Sequence, residues 1–337
     1  MTKSALYDTT RTRLENYEVF SVKALDLAAS AASEIARYET YQKFFKTVDV
    51  PLKPTLFMTS QGKGVPLIDI SARSSEERGV FVVYLPMGNS LDTNQLYQVA
   101  SLAQAFPAYR IIAFGNPSAK PYAYREQNFS VAEWFRVVCT SNRRAVVSAE
   151  LEYLSSQGIK DAYHIGYSFG ALKAMLAAYY SAPDALRRLI LIDPVAHSRG
   201  LKQLLEDFQH TFKPLGAYVD RTELRTFFEA RAEAARTVNH TRGLMRPVNI
   251  AIGIALARVD FIPFLEKILQ KKPQLSAHVA WGSKSELGND AHMKASLHHL
   301  AYETAKGRVR SLRLEDDAHA FANDISLYAA IVYDALH

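Results

Sequence analysis

The stretch His164-Ile165-Gly166-Tyr167-Ser168-Phe169-Gly170-Ala171-Leu172-Lys173-Ala174 places a serine between an apolar run and a run of helix-forming residues. Glycines stand two residues before and two residues after Ser168. A strand, a sharp turn and a helix in this order bring backbone segments so close that a side chain at either glycine would clash. The pattern predicts a nucleophile elbow, with the hydroxyl at the N-terminus of a helix whose dipole favours developing negative charge.

Apolar, β-branched runs on both sides of this stretch predict further strands, and helical patterns separate most of them. The strand runs are Gly79–Leu85, Arg110–Phe114, Asp161–Ile165, Leu189–Ile192, Ala277–Trp281 and Arg308–Leu314. The helical patterns are Asn94–Phe106, Val131–Gln157, Ala171–Tyr180, residues 291–306 and Ile325–Leu336. Such alternation implies crossover connections, so we expect an α/β protein with a mostly parallel central sheet flanked by helices. Thr55–Ser60 and Val65–Ser71 precede them as a predicted hairpin.

The alternation of strands and helices is interrupted, which divides the chain into three predicted parts. Residues 1–50 have helical spacing and form an N-terminal helical extension. Residues 51–198 and 277–337 make the α/β core. Residues 199–276 are predicted to be helical throughout, and a helical block between two strands of one sheet is most simply an inserted cap, or lid.

Composition narrows the class of protein. The chain has 337 residues, 48% of them hydrophobic, and a net charge of +6 spread along its length, so we expect neither a nucleic-acid partner nor a membrane span. Its one cysteine, Cys139, excludes an intrachain disulfide and a cysteine-based metal site, and we expect its thiol to be buried. No signal-peptide pattern opens the sequence, so we expect a cytoplasmic location.

A serine hydroxyl becomes a good nucleophile only when a base removes its proton. The usual base is a histidine, which a carboxylate holds in the correct tautomer. Of ten histidines, His319 is the one that falls in a loop between the last predicted strand and the last predicted helix. Glu286 follows the strand Ala277–Trp281 and is the favoured acid, whereas Asp193, which follows Leu189–Ile192, is its competitor. All three come after the C-terminal ends of predicted strands, where open α/β sheets place their ligand-handling residues.

Acyl chemistry also requires donors for a developing oxyanion. The residue after the nucleophile, Phe169, supplies one backbone N–H in this arrangement. The loop after Leu85 supplies the second, from Met87 or Gly88, because a glycine lets the backbone approach the substrate oxygen.

Taken in chain order, these segments resemble the α/β-hydrolase superfamily over roughly residues 55–337. The matching segments are Val82–Gly88, RIIAFGNPS at 110–118, HIGYSFGALKA at 164–174, LILIDP at 189–194, VAWGSKSEL at 279–287 and EDDAHAF at 315–321. Two positions depart from the usual pattern. Pro86-Met87-Gly88 stands where family members often have His-Gly, and Ser285 stands where they commonly have the acid, with Glu286 one residue later.

The resemblance implies a serine hydrolase of the esterase or lipase kind, which cleaves an ester, thioester or amide carbonyl through an acyl-enzyme on Ser168. No metal ion or organic cofactor is expected. Aromatic residues in the predicted cap favour a largely apolar acyl substrate, and a homo-oligomer is an open possibility. Two alternatives stay open. One is a non-catalytic binding or interaction protein with this fold, and the other is a carbon–carbon bond hydrolase or acyltransferase that uses the same residues.

Overall fold

The computed structural model describes residues 54–86, 95–115, 131–139, 142–195, 258–285, 287, 290–314 and 325–337. Within these ranges one sheet holds eight strands: β1 (Thr55–Met58), β2 (Gly64–Ile70), β3 (Gly79–Tyr84), β4 (Tyr109–Phe114), β5 (Ala162–Tyr167), β6 (Leu186–Ile192), β7 (Ser276–Gly282) and β8 (Val309–Leu314). Their spatial order is β1-β2-β4-β3-β5-β6-β7-β8. The predicted α/β class with a mostly parallel sheet is confirmed.

Of the eight strands in the described sheet, only β2 runs opposite to the others. Strands β1 and β2 form an antiparallel hairpin, closed by a Thr59 N–H that donates to the Lys63 carbonyl at 2.8 Å and by Gly62 at φ +73°. Strand β2 pairs antiparallel with β4, and every pair from β4 to β8 is parallel. The C-terminal ends of β3 and of β5 to β8 therefore lie along one edge, which is where the sequence places its candidate site residues.

Helices cover both faces of the sheet. They are α1 (Gln95–Ala105), α2 (Val131–Val138), α3 (Ser148–Ser156), α4 (Phe169–Tyr180), α5 (Phe261–Lys271), α6 (Asp290–His299) and α7 (Ile325–Leu336). Buried residues of α1 and α7 belong to one apolar cluster, while those of α3, α4, α5 and α6 belong to another on the opposite face. Strands β3 and β5 are apolar along nearly their whole length because both of their faces are covered.

The single helix predicted over Val131–Gln157 is wrong. Helix α2 ends at Val138, a 3₁₀ turn follows at Arg143–Val146, and α3 begins at Ser148. The Asn142 side chain accepts a hydrogen bond from the Arg144 N–H at 3.2 Å, so it caps a new turn. Val147 then leaves the helical region at φ −128° and ψ 8°. A capping residue and a β-branched residue therefore override the continuous helical pattern.

The expected burial of Cys139 is also wrong, since its side chain is exposed. Helix α2 buries Val137, and a residue two positions further along a helix lies about 200° round its axis. The chain turns there, so Cys139 faces away from the core.

The predicted cap is described only in its C-terminal part. Helix α5 packs its buried side against the core, with Phe261, Leu265 and Ile268 in the same cluster as α4. Residues 196–257 and the N-terminal extension, residues 1–50, lie outside the described residues.

Candidate active site

Ser168 lies at the apex between β5 and α4, in a strained backbone conformation with φ 55° and ψ −120°. Its N–H donates to the carbonyl of Ile192 on β6 at 2.9 Å, which ties the turn to the neighbouring strand. The residue is 6% exposed. Residues other than glycine rarely adopt a positive φ, and strain of this kind persists where the surrounding structure enforces it.

The two glycines of the motif have no room for a side chain. A Cβ on Gly166 would lie 2.2 Å from the carbonyl oxygen of Gly170, and one on Gly170 would lie 2.0 Å from the carbonyl oxygen of Tyr84. Helix α4 therefore packs directly against the backbone of β3 and β5. The turn is as tight as the sequence predicted, because both close approaches occur between backbone atoms.

Phe169 begins α4, so its N–H belongs to the first helical turn, where backbone donors have no partner within the helix. Tyr84 pairs with Gly166 in the parallel register of β3 and β5. The loop after β3 therefore starts beside the elbow. Met87 and Gly88, the predicted second oxyanion donors, come three and four residues after Tyr84 and lie outside the described residues.

Asp193 is the first residue after β6 and is fully buried, with a positive φ of 41°. Its Oδ1 accepts a hydrogen bond from the Gly282 N–H at 3.2 Å, and its Oδ2 accepts one from the Ser285 hydroxyl at 2.5 Å. Burial raises the pKa of Tyr167 well above its ordinary value, and the negative charge of Asp193 raises it further. The Asp193 carboxylate thus connects the ends of β6 and β7, close to the elbow.

Glu286 and His319, the favoured acid and base, lie outside the described residues. Their points of attachment are described. Glu286 comes directly after Ser285 in the loop that follows β7, and His319 comes in the loop that follows Leu314 at the end of β8. The structure therefore brings Ser168, Phe169 and Asp193 to one edge of the sheet, and the segments with the other candidates start from that same edge.

A buried polar group that the sequence did not single out lies beneath α4. Lys173 on that helix and Glu150 on α3 form an ion pair at 2.6 Å, with side chains 1% and 4% exposed. The contact is an ion pair rather than an aligned hydrogen bond. The Lys173 ammonium lies 5.9 Å from the centre of the Tyr84 ring. A lysine inside the apolar run of α4 is the sequence signal for this pair.

The hydroxyl of Tyr84 lies 3.1 Å from Nδ1 of His164 on β5. Burial lowers the pKa of His164 to about 3, and the positive charge of Lys272 contributes to the shift. His164 is therefore neutral near pH 7, so it is a core residue that supports the strand leading to Ser168. This agrees with the position predicted for it within that strand.

In the described parts of the chain, no group of three or more His, Cys, Asp or Glu side chains is placed to hold a metal ion. Across those same ranges, no helix combines the length and apolarity that crossing a membrane requires.

No protein-family model and no curated protein matches this sequence. Solved structures do match it in shape. An esterase from Exiguobacterium antarcticum and an enol-lactonase from Burkholderia xenovorans each align over 84% of this chain and 99% of their own, with TM-score 0.56 and 15% identity. A bromoperoxidase from Bacillus anthracis aligns over 84% of this chain and 98% of its own, with TM-score 0.54 and 13% identity. At such low identity the likeness concerns the fold.

Proposed function

We propose, from the α/β-hydrolase fold that this chain shares with these structures, that it is a serine hydrolase acting by acyl transfer. Its substrate is an ester, thioester or amide, and the acyl group passes through a covalent intermediate on Ser168. The geometry of the elbow carries this proposal. A serine at φ 55°, between glycines that have no space for a Cβ, is held in a conformation that the backbone packing must enforce.

The roles follow from the chemistry of the residues. The Ser168 oxygen attacks the carbonyl carbon while His319 accepts the hydroxyl proton, and the same ring later protonates the leaving group. A carboxylate, from Glu286 or Asp193, keeps the ring in the correct tautomer. The Phe169 N–H and a donor from Met87 or Gly88 stabilise the oxyanion, and loss of one such donor typically costs about 2.7–4 kcal/mol.

Water is the proposed acceptor that releases the acyl group. The proposed substrates carry a largely apolar acyl chain, and the aromatic residues of the predicted cap support this part of the proposal. A panel of p-nitrophenyl esters of increasing acyl length tests this class. A preference for acetate over every longer chain would contradict it.

A fluorophosphonate probe tests the nucleophile, because it modifies activated serines and needs no knowledge of the substrate. We expect the wild-type protein to be labelled at Ser168, with labelling and p-nitrophenyl butyrate hydrolysis both lost in Ser168→Ala. Ser155→Ala is the matched control, since Ser155 is an exposed serine on α3. A wild-type protein that resists the probe and hydrolyses no ester of the panel would favour a binding protein instead.

A further inference from the structure

We propose that the buried ion pair of Lys173 and Glu150 positions the nucleophile, because it fixes the rotation of α4 against the sheet. Ser168 directly precedes this helix, so a change in the rotation of α4 moves the serine. This role rests on the proposed function and goes further, since it involves two residues outside the acyl-transfer chemistry. Both are positioning residues, because they act through α4 and not on the substrate.

The pair joins two neighbouring helices close to the nucleophile. Lys173 comes four residues after Phe169, the first residue of α4, which is about one turn or 6 Å along the helix axis. Glu150 lies in the first turn of α3. Its Oε1 is 2.6 Å from the Lys173 Nζ, and both side chains are almost completely buried. The contact therefore ties the N-terminal half of α4 to a helix that packs on the same face of the sheet.

Stability alone does not account for a charged residue at position 173. Ten consecutive residues of α4, 169–178, are buried, and Lys173 is the one charged residue among them. Removal of two charges from water is costly even when they pair, and replacement of a buried ion pair by apolar residues is often neutral or stabilising. The pair therefore indicates a requirement for one particular arrangement, which is the best-attested use of a buried polar contact.

The side of α4 that faces the sheet carries short residues. Gly170 packs with its backbone alone on the carbonyl oxygen of Tyr84. Alanines at helical spacing belong to the same apolar cluster as Val82 and Tyr84 on β3; they are Ala171, Ala174, Ala177 and Ala178. Short side chains end near the helix axis, so a small rotation of α4 displaces them little and their apolar contacts oppose it weakly.

The Lys173 ammonium lies farther from the axis, so it responds strongly to the same rotation. Side-chain ends lie about 5–6 Å from a helix axis and Cα atoms about 2.3 Å. A rotation of about 20° therefore moves the ammonium by about 2 Å and the backbone next to Ser168 by about 0.8 Å. Such a shift would break the 2.6 Å contact with Glu150 and leave two buried charges apart, which is costly. The ion pair thus opposes the small rotations that would misplace the serine.

The pair also reaches the strands on which the elbow packs. The Lys173 ammonium lies 5.9 Å from the centre of the Tyr84 ring, within range of a cation–π interaction. Burial raises the pKa of Tyr84 well above its ordinary value, and the negative charge of Glu150 raises it further. The Tyr84 hydroxyl lies 3.1 Å from Nδ1 of His164. The pair is therefore continuous with polar contacts to β3 and β5.

Lys173→Met with Glu150→Leu is the direct test. This double variant should fold, because neither charge is left alone. We expect kcat for p-nitrophenyl butyrate to fall by about 10–100-fold, the loss that follows a displacement of about 1 Å, with KM within about threefold. The rate of fluorophosphonate labelling at Ser168 should fall in parallel. Arg110→Met with Asp69→Asn is the matched control, since it removes an ion pair between β4 and β2, and it should keep kcat within about twofold.

The exchanged pair tests whether the charges themselves set the position. Lys173→Glu with Glu150→Lys keeps one positive and one negative group between the same two helices. We expect its kcat to exceed that of the Met and Leu double variant by about threefold or more, because the attraction between the helices is restored. An exchanged pair that is no more active than the apolar one would overturn the assignment.

Amide hydrogen exchange gives a measurement that does not depend on activity. In the Met and Leu double variant, we expect the backbone amides of α4 to exchange about tenfold faster than in wild type. The amides of α7, which packs on the opposite face of the sheet, should keep their rates. If both double variants fail to fold, Glu150→Gln takes their place, because it keeps the shape and one acceptor oxygen. Wild-type exchange rates across α4 in that variant would overturn the assignment.

The outcomes separate this assignment from the proposed function. If the Met and Leu double variant keeps full kcat, the pair does not position the nucleophile and the assignment is wrong. If kcat falls while α4 exchanges at the wild-type rate, the loss does not come from a loosened helix, and the assignment is again wrong. If Ser168→Ala keeps full activity, the proposed function itself fails, whereas the exchange rates of α4 still test the ion pair.

Discussion

Gly170→Ala offers the sharpest test of the close packing at the elbow. An added Cβ would lie 2.0 Å from the carbonyl oxygen of Tyr84 and 3.1 Å from that of Leu85. Both neighbours are backbone atoms, and Tyr84 is held in the sheet between β4 and β5. Real Cβ atoms essentially never come closer than 3.0 Å to such atoms, so α4 or β3 has to move by about 1 Å.

The expected cost follows from this displacement. Gly170 lies inside α4, where alanine is intrinsically better by about 1 kcal/mol, so propensity alone predicts a more stable protein. Overpacking that shifts the backbone costs typically about 1–3 kcal/mol. From the upper end of this range, less the gain in propensity, we expect a net loss of about 2 kcal/mol. For 337 residues, with an unfolding entropy of about 2.1 cal/mol/K per residue, this lowers the melting temperature by on the order of 3 °C.

Thermal unfolding of Gly170→Ala and Gly158→Ala, followed by circular dichroism, separates the causes. Gly158 has φ +64° with no atom within 4 Å of the added Cβ, so its replacement costs only the strain of a left-handed backbone at alanine, about 1 kcal/mol. We expect Gly170→Ala to be the more destabilised variant and to lose fluorophosphonate labelling. A Gly170→Ala protein as stable as wild type would refute the close approach of α4 to β3.

Three further predictions concern the elbow and the polar residues beneath it. Ser168→Gly should melt above Ser168→Ala, because glycine adopts φ 55° without strain; equal melting temperatures would contradict this. Lys173→Met should cost about 3–5 kcal/mol by leaving the Glu150 carboxylate buried and uncompensated, and Lys173→Met with Glu150→Leu should recover most of it in guanidinium unfolding. A double variant as unstable as the single one would argue against the pair. The pKa of His164 falls from 6.5 to about 3 on folding, so only the unfolded chain takes up this proton between those pH values, and stability is lost as the pH falls through that range. From pH 7 to pH 5, wild type should therefore lose about 2 kcal/mol more than His164→Gln, and equal losses would contradict the neutral buried ring.

The strands and their direction could be predicted from the sequence, but their order could not. Runs such as Gly79–Tyr84 and Ala162–Tyr167 are apolar on both faces, and this marks strands covered by helices on each side. The alternation with helices implied parallel pairing. No periodicity shows that β3 lies between β4 and β5, because that choice depends on which long-range contacts bury the most surface. The break before α3 was missed for a local reason, the Asn142 cap.

The part of the candidate site that could be predicted is the turn at Ser168, because residues adjacent in the sequence determine its conformation. Gly-Tyr-Ser-Phe-Gly requires a tight turn, and the structure has that turn at Ser168. The contact between Asp193 and Ser285 was not predictable, because the two residues are 92 positions apart and only the neighbouring ends of β6 and β7 bring them together. From the sequence alone, Asp193 and Glu286 were both candidates for the acid that orients the base. The structure adds that the Asp193 carboxylate accepts a hydrogen bond from Ser285, the residue directly before Glu286.

Strand β3 lies between β4 and β5, so the hairpin of β1 and β2 does not dock on the strand that follows it in the chain. Its partner is β4, which is complete only at Phe114. During synthesis, a nascent chain that ends between residues 70 and 109 therefore exposes one edge of β2, an apolar strand, with no partner strand beside it. Unpaired edges of this kind are prone to aggregation, and chaperones exist to shield them. The hairpin is therefore synthesised early, and the edge of β2 stays unpaired until β4 has been made, about forty residues later.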